Sequence, residues 1–153
     1  MRLTSFSDYA LRMLMLAASA EGRLITIEEA ARTFHVSKTH LNKVANVLTR
    51  AGFLKAVRGR SGGLTLGKPA DAIRIGDVLR ITEPDFALVE CFTTGNQCVI
   101  AQNCKLSKLL SDALMAFRNL LDEHTLADIT LSQPDFLLPA ERNGAYRQLG
   151  FSD

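Results

Sequence analysis

Residues 26–66 constrain this chain most, because each element there carries its own start and stop signals. Thr26-Ile27-Glu28-Glu29 has the form of a capping box, in which a hydroxyl and a carboxylate satisfy free N–H groups at a helix start. Ile25 stands just before it as the staple residue. Ile27, Ala30, Ala31 and Phe34 then give a short helix one apolar face. His35-Val36 leaves room only for a tight turn before Ser37, an N-cap residue that opens another helix. That helix runs to about Ala51, with Leu41, Val44, Ala45 and Leu48 on its inner side, and Gly52 stops it. Residues 53–58 and 64–66 flank Gly59-Arg60-Ser61-Gly62-Gly63, which reads as a β-hairpin with a glycine-rich tip.

The flanks extend the pattern. Ser5-Phe6-Ser7-Asp8 has the form of another capping box, followed by Tyr9, Met13, Leu16 and Ala17 at helical spacing and by Gly22 as a stop. A short helical segment over residues 75–81 ends before Pro84. Residues 85–104 form a polar loop, and residues 105–129 a long helix. Leu106, Leu110, Leu114, Phe117, Leu121 and His124 make a stripe on this helix, widened by Leu109 and Leu120. Beyond Thr130, Pro134, Pro139 and Gly144 interrupt a weak pattern, and a loosely ordered tail is expected. The fold expected is mostly α: a winged helix-turn-helix over residues 1–83 with a two-stranded wing, a loop over 84–104, a long dimerisation helix over 105–130 and a tail over 131–153.

Charge points to a partner for the first of these units. Residues 1–80 carry 13 Lys/Arg against 6 Asp/Glu, a net +7, whereas residues 81–153 carry 5 against 10, a net −5, which together give the chain's +2. No acidic residue lies between Glu29 and Asp71. A basic half of this kind suits duplex DNA. With the apolar side of the helix after Ser37 turned inward, Lys38, Thr39, His40, Asn42, Lys43 and Asn46 face outward, where Asn reads adenine and Lys and Thr reach guanine or phosphate. An ordinary amphipathic helix would share that face; the hairpin directly after it tips the balance. Its tip sets Arg58, Arg60 and Ser61 among Gly59, Gly62 and Gly63, a shape and charge suited to a minor groove. One such unit reads one half-site, so a homodimer on promoter DNA is expected.

Cys91, Cys98 and Cys104 are the only cysteines, and all lie in the one loop. Their spacing, C-x6-C-x5-C, lacks the close pairs of structural zinc, and an odd count does not suit a disulfide scaffold. Clustered thiols suit a soft metal: iron–sulfur, zinc or copper. A cubane cluster wants four protein ligands, so a residue of another type must complete the set. A disulfide-based redox switch is the competing reading. A catalytic Cys91–His124 pair lacks an orienting group and an oxyanion hole, so an enzyme is not expected.

Residues 3–12 (LTSFSDYALR), 57–63 (VRGRSGG), 66–70 (LGKPA) and 73–78 (IRIGDV) together resemble the NsrR-type nitric-oxide-sensing repressors, in the same winged-helix superfamily as IscR. The resemblance covers the chain from Met1 to about Asp128. It implies homodimers crossed through a helix like residues 105–129 and a cluster on Cys91, Cys98 and Cys104. It also implies a fourth ligand, Asp8, supplied by the other subunit. In IscR a histidine three residues after the third cysteine serves instead; here that position is Ser107. A four-iron cluster is preferred over a two-iron one, with nitric oxide as the signal. No apolar run is long enough to span a membrane and no leader precedes the first helix, so a cytoplasmic regulator is expected.

Overall fold

The computed structural model describes residues 2–137. Helix α1 (Ser5–Ser19) is capped by Thr4, whose hydroxyl accepts from the Ser7 N–H at 3.2 Å. The expected Ser5–Asp8 box does not form. Thr4 wins because it has a second anchor: its N–H and Oγ1–H donate to Glu83 Oε1 at 2.8 and 3.1 Å. Asp8, free of any capping duty, pairs with Arg12 one turn along. One turn after Thr4, the buried Ser7 hydroxyl donates to Thr82 Oγ1 at 2.8 Å, and Thr82 donates on to the Val78 carbonyl. The rest of the inner face of α1 is apolar: Ala10, Met13, Leu14, Leu16 and Ala17.

Helix α2 (Ile27–Phe34) begins at Thr26, whose hydroxyl accepts from the Glu29 N–H at 3.0 Å. Only this half of the expected box is made. The Glu29 carboxylate turns instead to Arg23 at 2.7 and 3.0 Å, and that guanidinium holds it below the usual carboxylate range. The tight turn is a left-handed residue, His35 at φ 54°, followed by Ser37 as the cap of α3 (Lys38–Arg50). Leu41, Val44, Ala45 and Leu48 are buried, as the spacing requires.

Strands β1 (Leu54–Val57) and β2 (Gly63–Leu66) pair antiparallel, Leu54 opposite Leu66 and Val57 opposite Gly63. Ile25 adds a one-residue third strand by exchanging two hydrogen bonds with Leu64, at 2.9 and 2.8 Å. This bridge needs Gly63, because a Cβ there would collide with the Ile25 carbonyl. The sheet is thus fastened to the segment that precedes α2, and the wing projects from a fixed base. The architecture is mostly helical with a two-stranded wing, as expected.

Helix α4 (Ile75–Thr82) packs on α1 and on α5 (Lys105–Glu123). The long helix ends at Glu123, six residues before the sequence pattern does. His124 and Thr125 are extended, Thr125 bridges Arg74, and Thr125 and Asp128 form a capping box for the single turn α6 (Leu126–Ile129). The break places Leu126 in the core with no exposed surface. Burying a leucine stabilises by about 1.5–3 kcal/mol, which favours the break. The expected loose tail is also ordered at its start. A 3-10 turn, Gln133–Phe136, returns to the body, and Phe136 meets Phe34 edge to face with ring centres 6.2 Å apart. The remainder of the expected tail, residues 138–153, lies outside the described residues.

His35 tests this reading of the turn. It is exposed and left-handed, a conformation that costs a residue with a Cβ about 1–2 kcal/mol, part of which glycine's greater unfolded freedom offsets. His35→Gly is expected to raise stability by about 0.5–1 kcal/mol, read as a higher urea midpoint at unchanged slope. A lower midpoint would mean that the imidazole makes a contact worth more than the strain.

Candidate DNA interface and cysteine site

The Ser37 hydroxyl accepts from the His40 N–H at 3.4 Å and fixes where α3 begins. Because Leu41, Val44 and Leu48 face the core, Lys38, Thr39, His40, Asn42, Lys43 and Asn46 are all exposed on the opposite side. Lys38 pairs with Glu28 of α2 on the surface. Both partners are well exposed, so the ion pair is weak.

The wing carries the second group. Arg58, Gly59, Arg60 and Ser61 are exposed at the tip, and neither arginine has an acidic partner among the described residues. Gly59 sits at φ 123°, and the Gly62 N–H donates to its carbonyl at 3.0 Å. A Cβ on Gly62 would run into the Val57 and Gly59 carbonyls, so the turn accepts only glycine there. Further back, Lys68 lies over the Phe53 ring at 4.6 Å, which anchors the base of the hairpin.

The cysteine loop leaves the end of α4 and enters α5. Cys104 is the N-cap of α5, and its sulfur accepts from the Ser107 N–H at 3.4 Å. Cys91 reaches the same residue: its thiol donates to the Ser107 hydroxyl at 3.5 Å. Two of the three sulfurs therefore meet at one serine. Cys98 is exposed near the loop tip beside Val99, which is 98% exposed. Among the described residues no three His, Cys, Asp or Glu side chains are gathered as a metal site. Asp8 stands on α1, its carboxylate held by Arg12 at 2.9 Å through both oxygens. His124, on the expected stripe, lies beyond the end of α5 and points to Asp128 at 3.7 Å.

Sequence spacing did not identify Ser107 as a member of this group, nor Glu83 and Thr82 as the anchors of α1. A lone hydroxyl in a helix's first turn, or at another helix's last turn, carries no periodic signal. Ser107 was legible only as the place where another ligand set would have a histidine.

An open groove of about 430 Å³ runs between the start of α1, residues 83–88 and α5, lined by Leu3, Phe86, Leu88, Leu114 and Phe117 with Glu83 on its wall. Leu110, Leu114, Phe117 and Leu121 of α5 are half-buried on this side. The other side of α5 is open: Leu106, Leu109, Ala113, Ala116 and Leu120 recur at 3-4-3-4 spacing and all are exposed, Leu109 by 64%. The expected stripe is thus split. Its inner members pack within the chain, and the neighbouring row forms an apolar seam. No helix among the described residues is long and apolar enough to cross a membrane.

Comparison with known proteins agrees with this architecture. Over 139 residues the chain is 43% identical to the HTH-type transcriptional regulator NsrR of Bacillus subtilis, spanning 90% of this chain and 95% of that one. In structure it resembles CymR, the global cysteine regulator of B. subtilis, with a TM-score of 0.67 and 25% identity over 84% of this chain and 95% of that one. It shares the fold of T. potens IscR, with a TM-score of 0.67 and 22% identity over 84% and 85% of the two chains. Residues 3–131 match the family model Rrf2, described as iron-dependent transcriptional regulator. With a winged helix, a solvent-facing basic α3 and this match over most of its length, the chain belongs to the Rrf2 family and is a DNA-binding transcriptional regulator rather than an enzyme.

Proposed function

We propose that this regulator is a nitric-oxide-sensitive repressor, acting in the cytoplasm as a homodimer on promoter DNA and controlled by an iron–sulfur cluster. The observation that carries the reading is the position of the cysteine loop. All three thiols lie on the segment that joins the winged head to the helix bearing the open apolar seam. A change of shape in that loop moves two heads relative to each other.

The donor set suits a cluster. Three thiols are soft donors of the kind iron–sulfur centres take. Cys91 and Cys104 already converge at Ser107, and the exposed Cys98 stands on the same short loop, free to fold in. Binding that gathers them would also order the loop. When bound, the cluster would supply iron that reacts with nitric oxide; four irons fit the reading better than two.

The fourth ligand in this proposal is Asp8 from the opposite subunit. A carboxylate is a hard donor and the least suited of the four to iron in a sulfide environment, so its hold on a bound cluster would be the weakest. Arg12 offers it a ready alternative, the two-point pair on the same helix. Asp8 lies one turn from Thr4 and next to Ser7, the residues that lock α1 to the end of α4. Pulling on Asp8 therefore pulls on the helix against which the reading head packs.

Lys38, Thr39, His40, Asn42, Lys43 and Ser37 on one side, with Arg58, Arg60, Ser61 and Gly62 on the other, are assigned to major- and minor-groove contact. The seam Leu106, Leu109, Ala113, Ala116 and Leu120 is assigned to the dimer, its alanines allowing a second helix to approach closely.

Four outcomes are expected. Protein purified without oxygen carries iron and acid-labile sulfide, and nitric oxide lowers its promoter affinity about 5–150-fold, the range of a coupling of ~1–3 kcal/mol. Asp8→Ala keeps some DNA binding but changes that response; an unchanged visible spectrum together with an unchanged response would remove Asp8 from the ligand set. Colourless protein with an oxidant-dependent mobility shift would instead favour a disulfide switch. Replacing Arg60 by alanine weakens binding most at sites with a narrow, A·T-rich minor groove and lowers the salt slope by about 1 in a fluorescence-anisotropy titration. Leu109→Glu converts the dimer to monomers in sedimentation and weakens promoter binding by about 100-fold, through loss of the linked second half-site.

A further inference from the structure

Among the described residues Ser107 is the one that hydrogen-bonds to two of the three sulfurs, and it has no part in the ligand set assigned above. Its backbone N–H points at Cys104 Sγ from 3.4 Å, and its hydroxyl oxygen lies 3.5 Å from Cys91 Sγ. The geometry is fixed from both sides. Cys104 is the N-cap of α5, and Ser107 stands three residues on, where a capping atom receives a free N–H. Cys91 sits in a 3-10 turn, Glu90–Phe92, that brings its side chain to the same helix end. Both cysteines are only half-exposed, so these contacts are partly shielded from water.

In the form described, the Cys91 thiol donates and the Ser107 oxygen accepts. A sulfur bound to metal has lost its proton and can only accept. A hydroxyl serves equally as donor or acceptor, because its hydrogen rotates. The same pair then persists with its direction reversed: Ser107 O–H donates to Cys91 sulfur while Ser107 N–H still donates to Cys104 sulfur.

We infer that Ser107 is a positioning residue for the cluster, donating two hydrogen bonds, one to each of two sulfur ligands, and thereby setting its reduction potential. This rests on the proposal that Cys91 and Cys104 bind a cluster. Donors to cysteine sulfur draw electron density from it and favour the reduced state, which carries the greater negative charge. Cys98 has no such donor to its sulfur among the described residues; its own N–H is held by Asn96 at 2.7 Å. The three ligands are therefore electronically unequal, with Cys98 bearing the most exposed and least compensated sulfur.

The hydroxyl can be removed separately from the N–H. Ser107→Ala keeps the helix and the N–H bond to Cys104 and deletes only the donor to Cys91; Ser107→Thr restores a hydroxyl. Full-length protein loaded with iron and sulfide without oxygen is titrated potentiometrically, and iron–sulfur stretching bands are recorded by resonance Raman. Ser107→Ala is expected to shift the midpoint to more negative potential, by about 59 mV per tenfold change in the one-electron equilibrium. The iron–cysteine bands should move to higher frequency, and Ser107→Thr should return both readouts toward wild type. Wild-type and Ser107→Ala protein with the same cluster content, midpoint and bands overturn the inference and leave the cluster reading intact. Wild-type protein without iron or sulfide overturns both. Ser107→Ala protein that folds by circular dichroism but holds no cluster, while Ser107→Thr holds one, supports the inference.

Discussion

Three hydroxyls and a carboxylate hold the start of α1 against the end of α4, and the rest of the molecule is arranged around that joint. Glu83 receives both donors of Thr4, and Ser7 and Thr82 form a buried pair that passes its last hydrogen to the Val78 carbonyl. Buried hydroxyls are tolerated only when paired, so the joint admits one register of the two helices. It decides three things together: the angle of α1 against the head, the height of Asp8 on that helix and the point at which the cysteine loop leaves the body. An apolar contact would slide; a chain of directional bonds does not.

On the far side of the same body, α5 is tied down through charge. Arg80 bridges Asp77 and Asp122, both at 2.6 Å, and Gly76 gives the Asp122 carboxylate room to lie against α4. Leu126 then enters the core and Phe136 reaches Phe34 of α2. The long helix is thus attached at its C-terminal end by an ion pair and, through Leu126 just beyond it, by packing. Its N-terminal end is attached only through the cysteine loop and the residues lining the groove.

Much of this was legible in the sequence, and the misses have a common cause. The helix-turn-helix and wing announced themselves because caps, glycines and apolar period all agreed, so tertiary packing had nothing to overrule. At α1, Ser5-x-x-Asp8 and Thr4-x-x-Ser7 are both plausible caps, and only Glu83, 79 residues away, decides for Thr4. At α5 the apolar period runs smoothly on to Ile129. The Thr125-x-x-Asp128 restart was visible in the letters, but nothing local signalled that Leu126 belongs to the core of the head. The rows 110, 114, 117, 121 and 106, 109, 113, 116, 120 both keep coiled-coil spacing. A pattern cannot tell which row the chain's own body will take. Local chemistry was readable, and long-range competition was not.

The same distinction sets the cysteine site apart from the rest of the fold. A helix cap or an apolar face is finished by the chain itself, whereas a ligand set spread over a loop is finished by what it binds. Cys91 and Cys104 converge because α5 has a free N-terminus that needs an acceptor and finds sulfur. Cys98 has no such local reason to turn inward; Asn96 fastens its backbone and leaves its side chain in solvent. In the proposed function the binding free energy of the cluster would be spent on that last sulfur and on the opposite subunit's carboxylate. Those two are the contacts that the isolated chain does not supply. On that reading the weakest links lie where the signal would act, on side chains apart from α3 and the wing.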